Sequence, residues 1–250
     1  MRIRRFLAGL GAAVALAAIA VGHVPAPAGP AAATAATDIR KFDISVAGIR
    51  AGELTLSAAR NGASYEAGSS LRSTGLVGAV ARLRYDGSST GRIARDGSLV
   101  PERHVARSRS TRSERETEIV FENGQPARVT VTPPRSSPVD PAAQAGTVDP
   151  VSAAFALLLD DRADSVCNER IDLFDGSRRS QIVVGRAEQR DGRLVCNGVY
   201  VRVSGEAHAV SDQREWGFRL IYRPNGDGSV AIERIETPTR FGMAVLTARS

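Results

Sequence analysis

From Phe42 onward, apolar and polar side chains alternate: Phe42, Ile44 and Val46 against Asp43 and Ser45, then Leu54 and Leu56 against Glu53, Thr55 and Ser57. A period of two puts every second side chain on one face, the mark of a strand with a buried side. The alternating runs are short. They are punctuated by Asn61-Gly62, Asp86-Gly87, Asp96-Gly97, Asn123-Gly124, Asp175-Gly176, Asp191-Gly192, Asn197-Gly198, Asn225-Gly226 and Asp227-Gly228. Asn or Asp followed by Gly accepts the positive φ that tight hairpin turns demand. The pattern predicts a mainly β chain built as an antiparallel meander.

Two stretches leave this pattern. Gly75 to Arg84 spaces Leu76, Val80 and Leu83 as one or two turns of helix would. Asp149 to Arg162 is the stronger helix: Asp149 suits the N-cap and Pro150 the first helical position. Ala153, Ala154, Phe155, Ala156, Leu157, Leu158 and Leu159 then make it apolar on most faces, which predicts burial against the sheet. Between the first strands and this helix, residues 133–148 are rich in Pro, Ala and Ser without apolar periodicity and read as an exposed loop. Each flanking half is too small for a core of its own, so residues 36–250 are expected to form one β-rich domain.

The N-terminus changes the picture of where this domain works. Arg2, Arg4 and Arg5 precede an uncharged run from Phe6 to Val21, broken soon after by His23, Pro25 and Pro27. A basic segment followed by a short apolar one is a secretory signal, and the run is shorter than the roughly 20 residues a spanning helix needs. Residues 1–35 are therefore expected to be cleaved, with Ala-x-Ala sites placing the cut between Ala28 and Ala36. No Cys lies near these sites to carry a lipid, so the mature chain is expected to be a periplasmic protein with neither lipoprotein tether nor transmembrane anchor. Cleavage removes three arginines and no acid, so the formal charge falls from +6 to +3. So small a surplus gives no argument for nucleic acid as a partner. The two cysteines, Cys167 and Cys196, are expected to pair as one disulfide in an oxidising compartment.

Candidate chemistry is sparse. Gly87-Ser88-Ser89-Thr90-Gly91 matches the Gly-x-Ser-x-Gly nucleophile elbow by letter, but that mechanism needs a strand-to-helix turn and the residues that follow read as strand. His104 and His208 lie in strand-like segments without metal-ligand spacing, and Asn225 to Gly228 lacks the later Glu of a calcium loop. Asp160 and Asp161 end the apolar helix in solvent. No catalytic residue, metal or cofactor is expected. The densest charge, His104 to Glu118, carries Arg107, Arg109 and Arg112 as candidate contacts to an anionic partner, but Glu114, Glu116 and Glu118 interleave with them and no aromatics are present to stack bases.

The chain resembles an exported bacterial family known only as domain of unknown function 3108. The likeness lies in FDISVAGIRAGE at Phe42 to Glu53, Gly75-Leu76, Gly97-x-Leu99-Val100-Pro101-x-Arg103, Asp149-Pro150-x-Ser152, Phe174-Asp175-Gly176-x-Arg178-Arg179 and Thr239-x-Phe241-Gly242. The resemblance implies a curved antiparallel sheet, an open half-barrel wrapped around one main helix at about 149–162, similar to periplasmic lipoprotein carriers. It implies no catalytic residue. The leading expectation is a non-enzymatic envelope protein holding an acyl chain or apolar protein segment in a concave cavity near Leu76, Phe155, Leu158 and Leu159. A structural module binding an envelope protein or glycan is the second reading, and a hydrolase using Ser89 or a His the third.

Overall fold

The computed structural model describes residues 37–80, 82–111, 113–135, 139–158, 162–205 and 213–249. Alternation becomes strand as expected. The strands are β1 (Thr37–Val46), β2 (Ile49–Asn61), β3 (Ser64–Ser73), β4 (Arg84–Ile93), β5 (Leu99–Arg109), β6 (Glu114–Glu122), β7 (Gln125–Thr132), β8 (Arg170–Phe174), β9 (Arg178–Arg190), β10 (Arg193–Gly205), β11 (Glu215–Pro224), β12 (Val230–Thr239) and β13 (Gly242–Ala248). Among the described residues two helices interrupt them, α1 (Gly75–Val80) and α2 (Pro150–Leu158), with a short 3-10 turn at Pro141–Gln144.

All strands join one 13-stranded antiparallel sheet in the order β7-β6-β5-β4-β3-β2-β1-β13-β12-β11-β10-β9-β8. Two meanders are thus sewn together where β1 pairs with β13, Phe42 opposite Ala248. The sheet does not close, since β7 and β8 each pair with one neighbour only. The segment between them covers part of both edges. Val148 makes a parallel bridge to Leu173, with Val148 N–H donating to the Asp172 carbonyl (2.9 Å) and Phe174 N–H to the Val148 carbonyl (2.9 Å). On the other side, Gln125 donates to the Ala142 carbonyl (3.2 Å). Within this Pro/Ala/Ser-rich segment, Gln144 and Thr147 are buried while Ala142, Ala143 and Ala145 are exposed. A strand edge covered by its own chain is withheld from pairing with another.

Helix α2 packs against β2, β3, β4, β5 and β8. Val151 and Phe155 join Ala58, Tyr65 and Ala67, while Leu157 and Leu158 join Phe42, Leu56, Leu220, Tyr222 and Ile232. A helix apolar on nearly every face can bury both flanks in this way. Ile119, Phe121 and Phe174 form a third cluster between β6 and the end of β8.

Two Asx-Gly pairs expected as turns lie inside strands, Asp86-Gly87 in β4 and Asn197-Gly198 in β10. The glycines there serve close approach. A Cβ on Gly87 would sit 2.7 Å from the Tyr85 hydroxyl and 2.9 Å from Val151, and one on Gly198 would collide with the Phe218 ring beside a bulge at Cys196/Gly198. No helix among the described residues is long and apolar enough to cross a membrane.

Candidate functional site

The first turn of α2 is anchored by a buried polar network. Asp149 accepts hydrogen bonds at Oδ1 from the N–H groups of Val151 (2.9 Å) and Ser152 (3.0 Å), the N-cap geometry its position predicts. Its Oδ2 accepts from the Ser152 hydroxyl (2.6 Å), which in turn meets the Tyr65 hydroxyl (2.7 Å) on β3. Oδ1 also accepts from the Ser89 hydroxyl on β4 and lies 3.0 Å from Nδ1 of His104 on β5. Burial works against the Asp149 charge, but the hydrogen bonds from His104, Ser152 and Ser89 outweigh it and hold the carboxyl below its ordinary value of 3.8. Burial, with Asp149 nearby, pushes the Tyr65 and Tyr85 phenols up, beyond any physiological titration.

Ser89, His104 and Asp149 are the residue types of a hydrolytic triad, and their geometry is different. A triad needs the serine on one imidazole nitrogen and the carboxylate on the other, so that a proton can pass across the ring. Here the Ser89 hydroxyl, at 3.0 Å, and Asp149 both address Nδ1. Ser89 stands within β4 rather than on a turn into a helix, and Ser89 and His104 are each 1% exposed. What the arrangement can do is hold: it ties α2 to β3, β4 and β5 through a fully buried carboxylate. Sequence reading assigned Asp149 its cap and weighed Ser89 and His104 separately; the register of β4 on β5, Ser89 opposite His104, brings them together. Tyr65 and Ser152 escaped that reading, although the Asp149-Pro150-x-Ser152 spacing carried the signal for the latter.

Among the described residues, α2 borders a groove and a cleft. One, of about 280 Å³, is lined by Pro150, Ala153, Ala154, Leu157 and Leu158 of the helix and by Ile182, Phe218, Leu220 and Ile235 of the sheet. Its one polar side chain is Tyr200, whose hydroxyl is engaged with Ser180 (2.6 Å). The other, of about 470 Å³, is a mixed cleft lined by Ile93, Leu99, Phe155 and Ile171 together with Arg60, Arg170 and Asp172. The Arg60 guanidinium lies 5.0 Å from the Phe155 ring centre, within cation–π range. The four expected cavity residues therefore separate. Leu158 borders the apolar groove and Phe155 the mixed cleft, where it also stacks on Tyr65 (5.4 Å). The Leu76 side chain and all of Leu159 lie outside the described residues, as do Asp160, Asp161 and His208.

The arginine-rich hairpin is neutralised across its strands. Arg107 pairs with Glu116, Arg109 with Glu114 (2.6 Å) and Arg103 with Glu118 (2.9 Å), each at or near its directly opposed position on β5 and β6. Arg112 lies outside the described residues. Cys167 and Cys196 form a disulfide, Cα to Cα 5.9 Å, which ties the chain between α2 and β8 to a fully buried position on β10.

Comparison with known proteins adds the family and little more. No curated protein matches the chain. A solved structure described as a beta-barrel-like protein of domain of unknown function DUF1849, from Brucella abortus, is similar at 13% identity and a TM-score of 0.41, covering 88% of this chain and 100% of its own. The profile of the family described as protein of unknown function (DUF3108) matches residues 41–210, which takes in α2, the Asp149 network and the disulfide. The chain belongs to the DUF3108 family.

Proposed function

We propose that this is a non-enzymatic envelope protein, exported through a signal at residues 1–35, whose sheet curves about α2 and holds an acyl chain or similarly apolar ligand beside it. The observation that carries this reading is the groove of about 280 Å³ between α2 and the sheet, lined by aliphatic and aromatic side chains with its single hydroxyl already satisfied. Small-molecule sites are concave and lined mostly by apolar side chains with few polar groups, as this groove is. Its volume stands near the lower end of the roughly 300–1,000 Å³ usual for small-molecule pockets, which suits a single chain better than a ring system. The sealed, one-sided Ser89–His104–Asp149 arrangement supports the non-enzymatic part.

Native mass spectrometry of protein isolated from the envelope fraction tests the reading. The expected spectrum shows a chain lacking its first 28–35 residues, with an apolar adduct released by organic extraction. An adduct-free protein, or one still carrying Met1, would overturn the corresponding part. A fluorophosphonate probe is expected to leave the protein unlabelled, and covalent modification at Ser89 would sink the non-enzymatic assignment.

A further inference from the structure

The two ends of the sheet differ in chemistry. At one end, the connections β2–β3, β4–β5, β6–β7, β9–β10 and β11–β12 turn on Asn61-Gly62, Asp96-Gly97, Asn123-Gly124, Asp191-Gly192 and Asn225-Gly226. The other end carries the β1–β2 and β12–β13 hairpins, the β3–α1–β4 crossover and the end of β10. Six large hydrophobic residues are exposed among the described residues, and five of them, Ile49, Leu83, Val203, Phe241 and Met243, stand at this second end. The sixth, Ile39, lies on the body of β1 opposite Ser57.

Ile49, Leu83, Phe241 and Met243 share one rim. Ala47 N–H donates to the Met243 carbonyl (2.9 Å), joining the hairpin that bears Ile49 to the one that bears Phe241. Thr74 N–H donates to the Ala51 carbonyl (2.9 Å) and Ser73 N–H to the Leu83 carbonyl (2.8 Å), which brings the crossover alongside. Phe241 is 68% exposed at its hairpin tip. Exposed Arg82, Arg214 and Arg240 lie at the same end with no carboxylate partner among the described ion pairs, and the Arg240 guanidinium sits 4.7 Å from the Phe241 ring centre. Among the described residues the acids there are mostly occupied: Glu53 is engaged by Arg50 (2.7 Å) and Arg249 (2.9 Å), Asp86 by Arg84 (2.6 Å), Asp175 by Arg178 (2.6 Å), and Glu114 and Glu116 by Arg109 and Arg107, while Glu215 is in none of the described ion pairs and Glu206 and Asp212 lie outside the described residues.

We infer that this rim docks on the surface of a bilayer containing anionic lipid, with Phe241, Ile49, Met243 and Leu83 entering the acyl boundary and Arg82, Arg214 and Arg240 meeting headgroup phosphates. Apolar tips on separate turns, spaced by guanidinium groups, fit a soft interface that each side chain penetrates independently. A protein partner would call for a continuous, shape-complementary patch with a depleted charge content at its centre. The positive surplus matches an anionic surface. The rim and the groove use different residues, so this inference stands or falls separately from the ligand reading.

The test is co-sedimentation of the chain from Ala35 onward, a compact unit containing all three core clusters, with vesicles of phosphatidylglycerol and phosphatidylcholine or of phosphatidylcholine alone. Trp216, the sole tryptophan, begins β11 at the same end and reports contact by a blue shift of its emission. Binding is expected to the anionic vesicles and to weaken with salt. Phe241→Asp combined with Ile49→Asp should lower the partition roughly tenfold or more while leaving the melting curve and any groove ligand unchanged. Arg240→Glu should weaken binding to anionic vesicles only. No binding to either vesicle, or undiminished binding by the double variant, would overturn the inference, and the first of these results would leave the rim to a protein partner.

Discussion

Asp149 ties several elements together, because one buried carboxylate caps α2 and satisfies hydroxyl or ring groups from β4 and β5. Removing a fully buried carboxylate leaves the donors it accepted from desolvated and unpaired, which costs about 1–3 kcal/mol for a buried group left unsatisfied and more where the lost partner was charged. Asp149→Ala is therefore expected to lower unfolding stability by that amount in urea titration, and a loss below about 1 kcal/mol would show that the network is dispensable. The carboxyl's depressed pKa gives a second, independent reading. Since it is held below 3.8 when folded, its contribution is complete at neutral pH and is lost as pH falls below 3.8 and through the folded value. Asp149→Asn should flatten that acid limb, and an unchanged limb would assign acid unfolding to other carboxylates. Part of this was legible from the chain alone: an Asp before a Pro at the head of an apolar run announces a cap. That the same Asp would meet Ser89 and His104 was not legible. It depends on the pairing of β4 with β5, which periodicity leaves free to slide.

At the scale of elements, turn chemistry was read well where glycine stands alone at a hairpin and misread where it admits a neighbour. Asn197-Gly198 has the letters of a turn, yet it lies in mid-strand because the Phe218 ring on β11 occupies the place of its missing side chain. Gly198→Ala should thus cost about 1–3 kcal/mol by overpacking, whereas Gly192→Ala meets open space and acts only through its positive φ of 71°. If Gly198→Ala proved as mild as a surface change, the ring would have to have another resting place. The disulfide acts at the same scale. It closes a loop of sequence separation 29 that includes β8 and β9, and opening it restores denatured-state entropy worth roughly 3 kcal/mol. For a domain of this size, reduction should lower the melting temperature by about 6–12 °C in calorimetry. A shift within error would mean that the chain between α2 and β8 is held by packing alone.

For the whole molecule, the open sheet and the apolar helix follow from one constraint. A chain with so many strands and so few helices has one long apolar face to cover, and α2 supplies apolar side chains to core clusters on both sides of the β1–β13 seam. Periodicity foretold the strands and the helix, but the strand order joining two meanders through their ends is a property of the folded sheet. So is the groove, since Phe218 and Ile235, which line it opposite Leu157, stand on β11 and β12, far along the chain from α2. Whether the groove is a binding site or imperfect packing can be decided by filling it. Ala154 is half-buried on the side of α2 that lines the groove, with Phe218 and Ile235 across from it. Ala154→Trp places a large apolar ring into that space. If the groove is only a packing fault, the ring should add stability and change nothing else, as cavity-filling substitutions commonly do by about 0.5–2 kcal/mol. If it is a ligand site, the same substitution should abolish the apolar adduct seen by native mass spectrometry and remove the stabilisation that a ligand confers by mass action. An adduct retained in full by Ala154→Trp would move the ligand away from this groove and make the mixed cleft at Arg60 and Phe155 the next place to test.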